Sequence, residues 1–373
     1  MTQLSVDPRW AQARRILISR LDNLGDVLLA TPAIRAVREG LPEAHLTLHA
    51  SASGAQVAQL DPDLDDVIVY QAPWMDPEKT LPQDPAREQT MIERLRAGRY
   101  DGAIIFTSYH ESPLPTAYLY YLAGVPLRHA ASIDGPGSLL TTRHRHPERM
   151  MHEVERGLDL VAGLGFRTQH LDLVLRLRPG DREAMEARLR ALGASRDRPL
   201  VSIHPGSTCP SRAYPWQQCA LTADLLVSQL GCEVVFTGTG AERELVERIR
   251  RAMQRRSLSL AGRTTFAELA ALAAASDLVI ANNTGPAHVA AALKTPLVVL
   301  FALTNPPEQW RPWRAPHRLL YHPTECAICY QRRCPRDHAC LANVTPEHVA
   351  QAAAELLGDR GDARSPMSTD AHG

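Results

Sequence analysis

At 373 residues the chain is too long for one compact core at about 150 residues per domain, so two or three domains are expected. Hydrophobic residues at 45% and charged residues at 22% exclude wholesale disorder. Lys plus Arg (41) balance Asp plus Glu (41), which argues against nucleic acid as a partner and leaves open phosphate recognition by a few placed groups.

Met1 to Arg15 is polar, and the apolar run Ile16-Leu17-Ile18 is too short for a secretory signal. Nowhere does the chain reach the roughly 18 uninterrupted apolar residues of a membrane span. A cytoplasmic location is therefore expected, and an odd number of cysteines, seven, suits reduced thiols better than a disulfide framework. The pattern predicts a strand over residues 15–19, the turn Arg20-Leu-Asp-Asn-Leu-Gly-Asp26, and a helix over 27–39. Gly40 ends that helix. Strands are predicted at 45–50, 66–70 and 102–107.

Residues 176–199 are rich in Arg, Glu and Ala, carry Pro179-Gly180 and Pro199, and read as a boundary with one surface helix. Strands then recur at 200–203, 233–237, 278–281 and 297–301, with helices at 216–230, 242–254 and 266–275. A last helix is expected at 346–357. The reading is α/β: two doubly wound, Rossmann-like halves, 1–178 and 179–357, facing across a cleft, with a disordered tail at 358–373. Ligands of such halves sit at the C-terminal ends of the strands.

Three turns in the second half carry the candidate chemistry. In Leu278-Val-Ile-Ala-Asn-Asn-Thr-Gly-Pro-Ala-His288, a strand ends in Asn282 and Asn283, and Thr284, Gly285 and Pro286 open a helix. Free N–H groups at such a start receive an anion such as a diphosphate, with His288 about one turn in, although the same residues also make an ordinary capped helix. Ile203-His-Pro-Gly-Ser-Thr208 repeats the layout, with hydroxyls on Ser207 and Thr208 and a fixed cation at Arg212. Phe236-Thr-Gly-Thr-Gly-Ala241 precedes Glu242 and Glu244, either for ribose hydroxyls or for the helix dipole. In the first half, Asp26 lies where a helix start favours a negative side chain. It reads as a helix cap or as a base for an incoming hydroxyl, with Asp22 a second candidate.

The run Arg20-Leu-Asp-Asn-Leu-Gly-Asp-Val-Leu-Leu-Ala-Thr-Pro-Ala-Ile34 resembles the opening motif of glycosyltransferase family 9, the ADP-heptose:lipopolysaccharide heptosyltransferases. Ile203-His-Pro-Gly-Ser207, Leu260-Ala-Gly-Arg-Thr264 and Asn283-Thr-Gly-Pro-Ala-His288 resemble the family in order and spacing, and Ser112-Pro-Leu-Pro115, Leu122-Ala-Gly-Val-Pro126 and His152-Glu-Val-Glu-Arg156 add weaker matches. The resemblance implies a GT-B fold and an inverting transfer that requires no metal or other cofactor. The donor, expected to be ADP-heptose, would bind the second half, and a glycolipid or glycan acceptor the first. Asp26 matches the family's general base. Ser207, Thr208, Arg212, Asn283, Thr284, Gly285 and His288 match its donor loops, and Glu244 its ribose-binding acid. Such an enzyme would work in the cytoplasm, with at most peripheral contact at the inner face of the cytoplasmic membrane. Asn283 stands where several relatives carry an acid, and Arg212 where many carry Lys.

Cys326-x2-Cys329-x4-Cys334-x5-Cys340 matches the ligand count of a structural zinc or iron site, or else is four reduced thiols in a loop. Arg143 and Arg145, in a basic stretch with Arg149, are candidates for an anionic acceptor or simply a solvated loop. Competing readings are the same fold with another nucleotide sugar and acceptor, or a non-catalytic nucleotide-sugar-binding module.

Overall fold

Among the described residues twelve short strands, all paired in parallel, form two six-stranded sheets. The computed structural model describes residues 6–135, 137–195 and 197–364, and the chain divides into units Met1–Arg176 and Leu177–Gly373. In the first unit the strands are β1 (Arg15–Arg20), β2 (His45–Ala50), β3 (Asp66–Val69), β4 (Gly102–Ile105), β5 (Leu127–Ala131) and β6 (Thr142–His144), in the order β3-β2-β1-β4-β5-β6. In the second they are β7 (Leu200–His204), β8 (Glu233–Phe236), β9 (Leu258–Ser259), β10 (Leu278–Asn282), β11 (Leu297–Leu300) and β12 (His317–Leu320), in the order β12-β11-β10-β7-β8-β9. Renumbered within its unit, each sheet reads 3-2-1-4-5-6, the doubly wound order in which the chain reverses direction beside the first strand. Central strands such as β1 and β8 are apolar runs buried on both faces, as a covered parallel sheet requires.

The helix Leu24–Gly40 contains Pro32, whose missing N–H leaves the Leu28 carbonyl without its usual partner. The buried Thr31 hydroxyl donates to that carbonyl at 2.7 Å and accepts the Val174 N–H at 2.8 Å, so the helix continues through the proline. The helix Trp216–Leu230 ends at Gly231 with φ 63°, a left-handed C-terminus that suits glycine.

The structure adds β5, β6, β9 and β12, together with the helices Pro85–Ala97, Leu114–Leu122 and Glu153–Ala162, to the elements expected from sequence. The last helix is longer than expected, Pro346–Arg364. Neither Gly358 nor Gly361 ends it, because each interior glycine costs only about 1 kcal/mol and no proline follows until Pro366. Residues 358–364 of the expected tail are thus helical, and the remainder of it lies outside the described residues.

His49, on β2, is fully buried, stacks on Tyr70 at 5.2 Å and shares a hydrogen bond of 2.7 Å with the Tyr120 hydroxyl. Burial, with a smaller contribution from Arg94, pushes its imidazole down to about 3. The unfolded chain takes up a proton here below about pH 6.5 while the folded chain does not, so this stability is present above that pH and lost as pH falls. Urea unfolding of His49→Gln should therefore lose less stability than the parent between pH 6.5 and 5, by about 2 kcal/mol. An unchanged pH dependence would show that His49 is not held neutral.

Candidate active site

β1 ends at the point where its sheet reverses direction, and its last residue is Arg20, only 4% exposed. The guanidinium lies 2.8 Å from Asp22 Oδ1, 3.4 Å from Asp26 Oδ1 and 3.5 Å from Glu153 Oε2, and it donates to Ser108 Oγ at 2.8 Å. Ser108 Oγ in turn donates to Asp22 Oδ2 at 3.0 Å, and the Ser108 N–H donates to Glu111 at 2.9 Å. Burial alone would depress the Arg20 guanidinium, but Asp22, Asp26, Glu153 and Glu111 together raise it, so it stays charged. Burial raises Asp22 well above the usual carboxylate range, against the pull of Arg20, and raises Glu111 in the same way.

Asp26 is the third residue of the helix Leu24–Gly40, and its Oδ2 accepts the Asn23 N–H at 3.0 Å. The helix starts three residues earlier than expected, so Asn23 is the N-cap and Asp26 closes a capping box from the third helical position rather than capping the helix itself. Its other oxygen has only the long Arg20 contact, and the residue lines a pocket with Arg20, Ala30, Phe106, His146, Glu153 and Arg156. The empty volume there is about 340 Å³, part of it open to solvent. Asp22 is not in the lining: its carboxylate is turned to Arg20 and Ser108. Geometry thus separates two aspartates that sequence left as alternatives. Glu153, 4% exposed, and Arg156 pair at 3.3 Å on the opposing helix Glu153–Ala162. Neither was singled out for a role from sequence, although both stand in the His152–Arg156 motif.

Arg143 and Arg145 are exposed, and Arg143 donates to the Asp134 carbonyl; neither lines the pocket. His144, the last residue of β6, and His146, two residues beyond it, turn instead onto Asp159. Asp159 Oδ2 lies 2.6 Å from His144 Nε2 and 2.7 Å from His146 Nδ1.

In the second unit β7 and β10 lie side by side and end in the two predicted loops. Asn282 is buried and acts as a brace: its amide donates to the Pro205 and Gly206 carbonyls at 2.9 and 3.1 Å and its oxygen accepts the Tyr214 N–H at 3.1 Å. Asn283 is committed in the same way, accepting the Ala302 N–H at 3.1 Å and donating to Asn305 at 3.4 Å. Thr304 Oγ1 donates to Asn305 at 2.9 Å and accepts from Arg212 Nε at 3.2 Å, so Arg212, Thr304, Asn305 and Asn283 form one network beside the helix start at Thr284. Thr304 and Asn305 carried no sequence signal. Thr284 is the N-cap of the helix Gly285–Ala292, and His288 is buried in its second turn. Ser207 closes a local turn with Cys209, at 2.9 and 3.1 Å, and the Thr208 carbonyl accepts from Arg332 at 3.4 Å.

Glu244 and Glu242 sit in different surroundings. The Glu244 side chain is 88% exposed and pairs only with Arg248 at 3.8 Å on the outer face of the helix Arg243–Ala252. Glu242, two residues earlier, packs on the Gly206 turn, where a Cβ at position 206 would stand 1.8 Å from its Oε1, and it lies 3.7 Å from His204 Nε2. It also accepts from the Thr239 N–H and hydroxyl at 2.7 and 2.9 Å.

Cys326, Cys329 and Cys334 lie in one loop, and Cys340 lies in the short helix Ala339–Ala342 that follows it. Cys334 Sγ accepts the Arg336 and His338 N–H groups at 3.4 and 3.3 Å. Burial raises the Cys340 thiol, and the neighbouring Cys334, Cys326 and Cys329 raise it further. Among the described residues, however, no three of these sulfurs come within 4.8 Å of one another. No helix among the described residues is long and apolar enough to cross a membrane.

A family model described as glycosyltransferase family 9 (heptosyltransferase) matches residues 89–340. The chain is 28% identical over 295 residues to lipopolysaccharide heptosyltransferase 3 of Escherichia coli K12, covering 78% of this chain and 82% of that protein. A glycosyltransferase family 9 structure from Veillonella parvula superposes with TM-score 0.79 at 22% identity, covering 96% of this chain and 100% of that one. The E. coli heptosyltransferase WaaC, solved with ADP-2-deoxy-2-fluoro heptose, gives 0.64 at 18% identity, covering 91% and 99%. These likenesses show the expected GT-B fold.

Replacing Arg20 by Met leaves the buried carboxylates without their cation, and should lower unfolding stability by about 3–5 kcal/mol at pH 7. The deficit should shrink on acidification, because Asp22 and Glu111 protonate above the usual carboxylate range. Denaturant titrations at pH 7 and pH 5 check both; a loss under 1 kcal/mol would show that Arg20 does not hold the cluster.

Proposed function

The chain belongs to glycosyltransferase family 9, and on that premise we propose that it moves a heptose from ADP-heptose to a lipopolysaccharide-core or other cell-envelope glycan, with inversion and without a catalytic metal. The observation that carries this reading is the pocket-lining carboxylate of Asp26, anchored through one oxygen while the other is left to an incoming hydroxyl. An acceptor hydroxyl gives its proton to Asp26 as its oxygen bonds to the anomeric carbon of the heptose. The bond from that carbon to the diphosphate oxygen breaks, and ADP leaves with the electron pair. Attack opposite the leaving group inverts the anomeric configuration. Arg20 holds Asp26 in place, and its charge keeps the pocket's carboxylates compatible with one another.

The donor belongs to the second unit in this reading. The diphosphate would lie at the start of the helix Gly285–Ala292 with Arg212, where main-chain N–H groups and a guanidinium stabilise the charge that grows as ADP departs. Thr304 and Asn305 fix Arg212, while Asn283 braces the loop. Glu242 replaces Glu244 as the acid for ribose hydroxyls, since it packs on the Gly206 turn. Support for ADP-heptose comes from the relatives, one of which was solved with a fluorinated analogue of it. Tyr118, Tyr121 and Leu122, exposed on the helix Leu114–Leu122 together with Ile133, support peripheral contact with a membrane carrying a lipid-linked acceptor. A structural zinc or iron remains proposed for Cys326, Cys329, Cys334 and Cys340, supported by the two N–H groups on Cys334 Sγ.

Two measurements test the reading. Asp26→Asn should lower kcat about 100- to 10,000-fold while leaving the donor Kd within about twofold, which calorimetry and a turnover assay resolve. Calorimetry with ADP-heptose, UDP-sugars and GDP-sugars should give tight binding only to the first; preference for a uridine donor would overturn the heptose assignment and leave the transferase standing. Unchanged turnover in Asp26→Asn would remove the base.

A further inference from the structure

We propose that His144, His146 and Asp159 bind a late first-row divalent cation such as Zn²⁺ in the wall of the pocket that holds Asp26. The three donors are two imidazoles and one carboxylate, a set that suits zinc, cobalt or nickel and not the oxygen-seeking magnesium or calcium. Their ligand atoms all lie within 4.8 Å of one another, which no other trio of His, Cys, Asp or Glu achieves among the described residues. Their positions follow from the fold. His144 is the last residue of β6, His146 stands two residues beyond its end, and Asp159 comes from the helix Glu153–Ala162. Gly163 leaves the room this requires, because a Cβ there would stand 2.7 Å from His144 Nδ1.

The contacts of 2.6 and 2.7 Å to Asp159 Oδ2 are hydrogen-bond distances. Around a tetrahedral zinc with bonds of about 2.0–2.1 Å, neighbouring ligand atoms stand roughly 3.3 Å apart. The cation would therefore replace the two shared hydrogen bonds, with movements under about 1 Å. Each imidazole proton would shift to the ring nitrogen facing away: Nδ1 on His144 and Nε2 on His146. Three protein ligands leave a coordination position for water or a ligand group. His146 also lines the pocket, so an ion there would add positive charge beside Asp26 and Glu153, and would tie the edge strand β6 to its helix. The nearby Arg156 opposes cation binding, but its pairing with Glu153 offsets that charge.

The inference needs only these side chains and does not depend on the transferase reading. Cobalt serves as the spectroscopic probe. The full chain with Cys326, Cys329, Cys334 and Cys340 replaced by Ser, stripped with chelator, should bind one Co²⁺ with visible ligand-field bands and without a thiolate charge-transfer band, and Zn²⁺ should displace it. His144→Gln, His146→Gln and Asp159→Asn should each weaken that binding at least tenfold. If a variant fails to fold, imidazole ¹⁵N shifts of the unmodified chain should report coordination at His144 Nε2 and His146 Nδ1 on adding Zn²⁺. Absence of the ligand-field bands, a thiolate band alone, equal affinity in folded variants, or unmoved imidazole shifts would overturn the site.

Discussion

The first unit is organised around the need to neutralise one buried cation. Arg20 closes β1 beneath the pocket, and Asp22, Asp26, Glu153 and Glu111 are drawn toward it from two loops and two helices. Each of these carboxylates would be costly to bury alone, and together they would repel one another. With the guanidinium among them, they fix where both helices begin. Asp26 is therefore positioned by electrostatics as much as by its helix.

The second unit solves a different problem, that of keeping polar loops open at the end of an apolar sheet. It does so with neutral side chains: Asn282 ties the β7 loop to β10, and Asn283 ties β10 to the residues beyond β11. An amide both donates and accepts, so one buried side chain satisfies two neighbouring backbones without carrying charge into the interior. This accounts for the neutral residue at 283, which the comparison of motifs marked as a departure. Its amide is spent on architecture, so the proposed contacts to a diphosphate fall to Arg212 and the helix start.

Much of the fold was legible because short apolar strands alternate with amphipathic helices: β2 and the helices Trp216–Leu230 and Phe266–Ala275 fall at the residues periodicity indicates. What escaped has a physical reason. β6 and β9 have three and two residues, too short for any period, and β12 is partly exposed along its whole length. At the site, Asp26 and Arg212 could be read from their turns, whereas Glu153 and Thr304 acquire meaning only from residues more than 90 positions away. The two acids after the Gly238-Thr239-Gly240 turn show the same limit. Spacing alone does not tell Glu242 from Glu244, but a two-residue step around a helix start turns one inward and the other out. The sequence points to Arg143 and Arg145 rather than to His144 and His146, because fixed charge is conspicuous in a sequence and a carboxylate partner 13 to 15 residues away is not.

The repair at Thr31 and Pro32 ties two neighbouring positions into one heritable choice. A chain that exchanged the proline for an ordinary residue would regain its own backbone bond to Leu28 and set the hydroxyl free, whereas one that lost the hydroxyl first would strand a carbonyl in the helix and an amide at Val174. The order of substitution then matters. Descendants of this protein should abandon the proline before the threonine, and a lineage holding the proline without a hydroxyl beside it should be rare.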